Sequence, residues 1–187
     1  ADILLNSTTG TTYQAAEARH HDKRVQQLEG DRGIYYYSNS NNNTITSATC
    51  NSNNNYGIYY NNSSNNAITS AICNSNGDRG IYYSGSSGNN TITSAICNSN
   101  GSYGICYAGS SNNNTITSAT CNSNSNYGIY YTASSNNNTI TSATCNSNNT
   151  SISYSSSNNN TITTTTCNTN TTHKSYTNNN NNTHHNS

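Results

Sequence analysis

Gly80-Ile81-Tyr82-Tyr83, followed by Thr91-Ile92-Thr93-Ser94-Ala95-Ile96-Cys97, is the stretch that decides the fold. Side chains alternate between the two faces of a strand. In the first block Ile81 and Tyr83 therefore share one face and Tyr82 takes the other. In the second block Ile92 points one way and Thr91 and Thr93 the opposite way. Both runs are short, rich in β-branched and aromatic residues, and bounded by Asn, Ser and Gly, as strands ended by turns are. The apolar face has to point inward, so Ile81, Tyr83, Ile92 and Cys97 line a core, while Tyr82, Thr91 and Thr93 meet water.

The two blocks recur in phase from residue 33 to residue 170. Openings equivalent to Gly80 stand at Gly33, Gly57, Gly104 and Gly128, with a degraded version at Ser151. The second block ends in turn at Cys50, Cys73, Cys97, Cys121, Cys145 and Cys167, at spacings of 23, 24, 24, 24 and 22 residues. A fixed period of this size marks a solenoid, in which one repeat cannot bury its apolar face alone and stacking closes the core. Coils stacked at about 4.8 Å put like residues on like, and about six of them make a rod roughly 25–30 Å long. The Asn51, Asn74, Asn98, Asn122 and Asn146 column is placed for an amide ladder, each side chain donating to the next. The expected fold is all-β, a single-stranded parallel β-helix of about six coils with a short N-terminal capping helix.

The pattern Gly-Ile-Tyr, then Asn-Asn-Thr-Ile-Thr, then a small apolar residue five positions after the Ile, resembles the right-handed parallel β-helix repeats of the pectate-lyase-like superfamily, and among them the NosD-like repeats. The resemblance covers residues 33–170 and implies the fold. The six column cysteines stand where those repeats usually carry Ile or Val. Members that act on polysaccharides cluster Asp, Lys, Arg or His on one face. Nothing in the array matches such a cluster, so the resemblance transfers no catalytic residue.

Three segments follow from the periodicity. Residues 1–32 form an N-terminal cap, 33–170 the repeats and 171–187 a polar Asn- and His-rich tail. Residues 12–29 read as a helix, with Thr11 and Gln14 as a capping box, Gly30 as a stop, and Ala18, His21, Val25 and Leu28 on one stripe. Such a helix would cover the open strand edges at the solenoid end.

Composition narrows function. Pro, Met, Trp and Phe are absent, charged residues make up 6% of the chain and the formal net charge is zero. Nine of the twelve charged side chains lie in residues 1–33. No basic face exists to neutralise phosphates, which argues against nucleic acid as a partner. No run of 18 apolar residues is present, so no membrane span is expected.

Four outward or inward columns are the candidates for chemistry. The Cys50, Cys73, Cys97, Cys121, Cys145 and Cys167 column reads as a buried thiol ladder in preference to axial disulfides, because parallel Cβ vectors about 4.8 Å apart exceed the usual disulfide range. Cys106, in place of an outward Tyr, reads as the accessible thiol. No metal and no cofactor are expected, since tetrahedral thiolate sites need convergent ligands, and His20, His21, His173, His184 and His185 do not form a convincing set. The outward threonines are Thr44, Thr46, Thr69, Thr91, Thr93, Thr115, Thr117, Thr139, Thr141, Thr161 and Thr163, with Ala67 as the gap. They resemble the threonine ranks of ice-binding solenoids, although β propensity alone also explains them. Asn42, Asn62, Asn89, Asn113, Asn137 and Asn159 are candidate glycosylation acceptors. Tyr35, Tyr59, Tyr82 and Tyr130 form an outward aromatic stripe suited to sugars or a neighbouring rod.

The array holds one carboxylate, Asp78, and no His, so catalysis is not expected. The expectation is a non-catalytic extracellular or cell-surface structural protein. It would be a self-assembling fibre or surface-layer subunit with itself as partner, since head-to-tail stacking does not close, and with glycans as a further partner. The alternatives are an ice-binding protein using the threonine ladder and a carbohydrate-binding adhesin using the tyrosines.

Overall fold

The computed structural model describes residues 3–6, 12–14, 32–37, 40–177 and 183–185. The chain winds as a parallel β-solenoid with two eight-stranded sheets. The first sheet stacks Ile3–Asn6, Arg32–Tyr37, Tyr56–Asn61, Arg79–Ser84, Tyr103–Tyr107, Tyr127–Tyr131, Thr150–Ser155 and Thr172–Thr177. The second stacks Thr12–Gln14, Thr44–Thr46, Ala67–Thr69, Thr91–Thr93, Thr115–Thr117, Thr139–Thr141, Thr161–Thr163 and Thr183–His185. A third side carries single bridges along Thr49, Ile72, Ile96, Thr120, Thr144 and Thr166. Among the described residues no helix is long and apolar enough to cross a membrane.

Register follows the repeat residue for residue. Ile81 pairs with Ile58 and Ile105 in the first sheet, and Ile116 with Ile92 and Ile140 in the second. The core is built from columns. Two run in Ile, one in Ala (Ala48, Ala71, Ala95), one in Cys, and one in the second Tyr of each opening, all fully or almost fully buried apart from Cys167. The inner tyrosines stack face to face with centroids 4.6 Å apart at Tyr36–Tyr60 and 5.0 Å at Tyr131–Tyr154.

Three corners with positive φ recur in every coil, for example Asn113 at 58°, Ser118 at 56° and Ser123 at 58°, and most coils add a further one after the first strand, such as Asn62 at 48° or Ser110 at 61°. Short polar side chains tolerate this left-handed conformation better than branched ones. The corners explain why Asn and Ser recur in fixed phase without any appeal to surface chemistry.

Two inner asparagine columns hold the turns together. The Asn100 backbone N–H and its Nδ2 both donate to Oδ1 of Asn124, at 3.0 Å each. The Asn76 N–H and Nδ2 do the same to Asn100, again at 3.0 Å. A second buried column joins Asn90 to Asn114 through N–H and Nδ2 at 2.8 and 3.1 Å. The expected Asn51 column is also a ladder, with its chemistry reversed. The Asn98 backbone N–H donates to Oδ1 of Asn74 at 2.8 Å, and that of Asn122 to Asn98 at 2.8 Å. There each side chain accepts from the backbone of the next coil instead of donating to it, so these bonds run along the rod in the opposite sense to those of the inner columns.

Two expectations change at the ends. The helix expected over 12–29 would begin at Thr12–Gln14, but those residues form a strand paired with Thr44–Thr46; the remainder of that segment lies outside the described residues. The polar tail carries two strands in register with the coil before it, Thr172 opposite Thr150 and Thr183 opposite Thr161. Pairing of main-chain groups continues there although the apolar pattern has faded.

Candidate functional site

The open face of the first sheet carries the densest chemistry. Two outward columns run along it. One is the expected stripe of Tyr35, Tyr59, Tyr82 and Tyr130, with Cys106 in the fourth place. The other, absent from the sequence reading, is Arg32, Tyr56, Arg79, Tyr103 and Tyr127. Its signal was the residue directly before each opening Gly. That residue is outward because Gly and Ile both turn inward at this bend, which brings positions three apart side by side.

The two columns interlock. Tyr59 and Tyr82 stack at 4.9 Å, and Tyr56 tilts against both at 5.2 Å. Further along, Tyr127 packs on Tyr130 at 4.5 Å and Tyr103 tilts against Tyr130 at 5.4 Å. Arg79 sits at the centre, its guanidinium carbon 4.2 Å from the Tyr82 ring, 5.0 Å from Tyr103 and 5.4 Å from Tyr56. Its Nη1 donates to the Tyr56 hydroxyl at 3.2 Å and pairs with Asp78 Oδ2 at 2.7 Å. Arg32 repeats the arrangement two coils away, 4.5 Å from the Tyr35 ring. A planar guanidinium stacks on aromatic faces and meets carboxylates along its edge in a bidentate manner; here Asp78 takes part of that edge on Arg79.

Burial pushes the Tyr82 phenol up to about 12, against the lowering effect of Arg79. Tyr82 is therefore a protonated hydroxyl at neutral pH. Cys106 corrects the expectation of an accessible thiol: it is 2% exposed. Cys106 stands between Tyr82 and Tyr130 in the column, and Arg79 interacts with its thiol. Burial raises this thiol to about 12, with Arg79 opposing.

The second sheet presents the threonines outward, Thr115 opposite Thr91 and Thr139, and Thr117 opposite Thr93 and Thr141, with Ala67 between Thr44 and Thr91. Asn42, Asn89, Asn113, Asn137 and Asn159 sit exposed at a positive-φ corner just before that sheet, and Asn62 at another. The acceptor asparagines are thus corner residues in their own right.

Inside, Cys50, Cys73, Cys97, Cys121 and Cys145 are fully buried free thiols in one file, and Cys167 is half-exposed. Burial, together with the neighbouring thiols of Cys50 and Cys97, pushes the Cys73 thiol well above its ordinary value. Opposite each thiol stands the opening glycine. A Cβ on Gly128 would lie 2.9 Å from the Cys145 Cβ and 3.0 Å from its Sγ. In the coil where Ser151 replaces Gly, its Oγ donates to Cys167 Sγ at 2.7 Å.

The family model described as periplasmic copper-binding protein (NosD) matches residues 2–187. No curated protein sequence matches significantly. Among solved structures the chain superposes on the periplasmic alginate epimerase AlgG with a TM-score of 0.69 at 21% identity, covering 72% of this chain and 32% of that one. It superposes on the enzymatically active domain of bacteriophage CBA120 tailspike protein 2 with a TM-score of 0.70 at 14% identity, covering 94% and 29%. For pectate lyase Pel9A the TM-score is 0.55 at 13% identity, covering 89% and 61%. The chain spans about a third of the length of the epimerase and the tailspike domain. At such identities the likeness establishes the fold.

These findings correct the expectation of a non-catalytic fibre or surface-layer subunit, together with its ice-binding and adhesin alternatives. The matching family is described by copper binding, and the superposed β-helices are an epimerase, a lyase and a tailspike enzymatic domain. The expectation that the protein is not an enzyme is corrected on the same finding, since the superposed β-helices are enzymes. Copper calls for soft or imidazole donors. Among the described residues no group of three or more His, Cys, Asp or Glu converges. The buried thiols form one file of stacked residues, which does not converge as a tetrahedral site requires.

Proposed function

We propose, for a chain that belongs to the NosD family, that it is part of an extracytoplasmic β-helix protein that binds a uronate-containing polysaccharide on the arginine–tyrosine wall of the first sheet and acts on it. The observation that carries this reading is Arg79, stacked among Tyr56, Tyr82 and Tyr103 and paired with Asp78 at 2.7 Å, with its side chain 19% exposed. Aromatic faces suit the apolar faces of sugar rings, and a guanidinium edge suits a sugar carboxylate. Arg32 lies two coils away, about 10 Å at the coil spacing, so that two carboxylates of one polymer can be met in line. The family's description and the name of the alginate epimerase both give a periplasmic location, and the epimerase and the pectate lyase are named for acidic polysaccharides.

The reaction class follows from the groups present. Hydrolysis of a glycosidic bond generally uses a pair of carboxylates, and residues 33–170 contain Asp78 alone. Removal of the proton next to the uronate carboxylate, leading to epimerisation or β-elimination, needs a cation on that carboxylate, a base and a proton donor. Arg79 is the cation, Asp78 the base once the substrate carboxylate takes its place on Arg79, and the Tyr82 phenol the donor. Incubation with alginate or polygalacturonate, followed by proton NMR of the product, tests the reaction. New unsaturated or epimerised residues are expected, and an unaltered polymer that nevertheless binds would reduce the proposal to recognition.

A further inference from the structure

We propose that Asn76-Gly77 and Asn100-Gly101 are self-modifying sites, at which an opened coil converts its own asparagine to aspartate or isoaspartate and the closed stack prevents it. The proposal does not depend on what the arginine–tyrosine wall binds. Both asparagines nevertheless lie three residues ahead of wall residues, Arg79 and Tyr103.

The chemistry needs no partner but water. The backbone nitrogen of the residue after Asn attacks the side-chain carbon Cγ. A Cγ–N bond forms, the Cγ–Nδ2 bond breaks, and ammonia leaves with the proton of the attacking N–H, which closes a succinimide ring. Water then opens the ring at either of its two carbonyl carbons, giving aspartate or isoaspartate. Nothing is oxidised or reduced. Glycine after Asn favours the attack, since it has no Cβ to crowd the nitrogen and its backbone ranges freely. Asn76 and Asn100 are the only asparagines of the chain that precede glycine. The fold requires glycine at both places. A Cβ on Gly77 would run into the Asn54 carbonyl oxygen, and one on Gly101 into that of Gly77.

The closed stack blocks both reacting groups. The attacking nitrogens are occupied: Gly77 N–H donates to the Asn53 carbonyl and Gly101 N–H to the Asn76 carbonyl, at 2.9 Å each. The amides are held as well. Asn76 Oδ1 accepts from the Asn53 backbone N–H at 3.0 Å and from its Nδ2 at 2.8 Å. Asn76 Nδ2 donates to Asn100 Oδ1, and Asn100 Nδ2 to Asn124 Oδ1, each at 3.0 Å. Both side chains are buried. Attack requires release of the glycine N–H and rotation of the asparagine, and so requires the coil to open.

The product does not fit back. Conversion of Asn100 puts a carboxylate oxygen where Nδ2 donated to Asn124 Oδ1. Two acceptors then face each other and a charge is buried without a partner. Isoaspartate also inserts an extra backbone carbon, which breaks the register between coils. Opening at these two corners therefore ends in irreversible loss of the coils that carry Asp78, Arg79 and Tyr103.

The test is to hold the full chain in mildly alkaline buffer, folded or unfolded in guanidinium chloride. Amide loss is read by mass spectrometry of chymotryptic peptides, which separate Asn76, Asn100 and Asn124. In denaturant, Asn76 and Asn100 should convert roughly tenfold or more faster than Asn124, which is followed by Ser125. In the folded chain both should be slowed roughly a hundredfold or more, a factor set by the population of the open coil. Asn100→Asp, which is the product itself, should fail to refold or melt well below the native protein. Asn98→Asp keeps the one acceptor that its position uses and should refold. Similar rates in the folded and unfolded chain, Asn124 keeping pace with Asn100 in denaturant, an unchanged melting temperature in Asn100→Asp, or an equal loss in Asn98→Asp would overturn the proposal.

Discussion

Gly104 and Cys121 share one place in the core: a Cβ added to Gly104 would stand 2.9 Å from the Cys121 Cβ, 2.6 Å from the Gly128 carbonyl oxygen and 3.0 Å from Asn124 Nδ2. The opening glycine of each coil is therefore the steric counterpart of the cysteine that closes it.

Gly104→Ala is accordingly expected to destabilise the protein by about 3 kcal/mol, the upper range for overpacking, since two of the three contacts are backbone or Cβ atoms that cannot swing away. In thermal unfolding this corresponds to a fall of roughly 6–12 °C for a chain of this size. An unchanged melting temperature would show that the coils can slide apart at this position.

The inner and outer asparagine ladders should differ in weight. Asn100→Ala leaves the buried N–H and Nδ2 of Asn76 without their acceptor, at roughly 3 kcal/mol or more. Asn98→Ala removes one acceptor for the Asn122 N–H at a half-buried position, at about 1 kcal/mol. Denaturant unfolding of the two variants side by side reads the difference, and equal losses would contradict it.

Alkaline pH should unfold the protein in a single step. Burial raises the phenols of Tyr60, Tyr83, Tyr107 and Tyr131 well above 10, and Tyr82 to about 12. Between those limits the unfolded chain has lost phenol protons that the folded chain retains, so stability falls as pH rises through that interval. Phenolate absorbance of the inner column should appear together with the loss of the far-ultraviolet dichroism of the sheets. Gradual titration of all tyrosines without unfolding would contradict the burial of that column.

The period, the two strand blocks and the inward Ile, Cys and Tyr columns were legible in the sequence because stacked identical coils repeat each environment every 24 residues or so. Alternation alone also placed the threonines. The wall around Arg79 was not legible, because alternation breaks at Gly80: Gly80 and Ile81 both face inward, so Arg79 and Tyr82 come out on the same side. Cys106 was misplaced for a related reason. Its column position is outward, but its exposure depends on Arg79 and on neighbouring rings that no periodicity encodes. The left-handed corners at Ser118 and Ser123 were likewise hidden, since Ser carries no conformational signal as plain as that of Gly.

The central claim is that the Arg79 wall recognises a polysaccharide carboxylate, and calorimetric titration of oligogalacturonate or oligomannuronate into the native protein and into Arg79→Gln tests it most directly. A neutral glucan and Thr117→Val on the second sheet serve as controls. The account predicts binding of the acidic oligomers and not of the glucan, weakened at least tenfold in Arg79→Gln and unchanged in Thr117→Val. Equal affinity in Arg79→Gln, or equal binding of the neutral glucan, would contradict it.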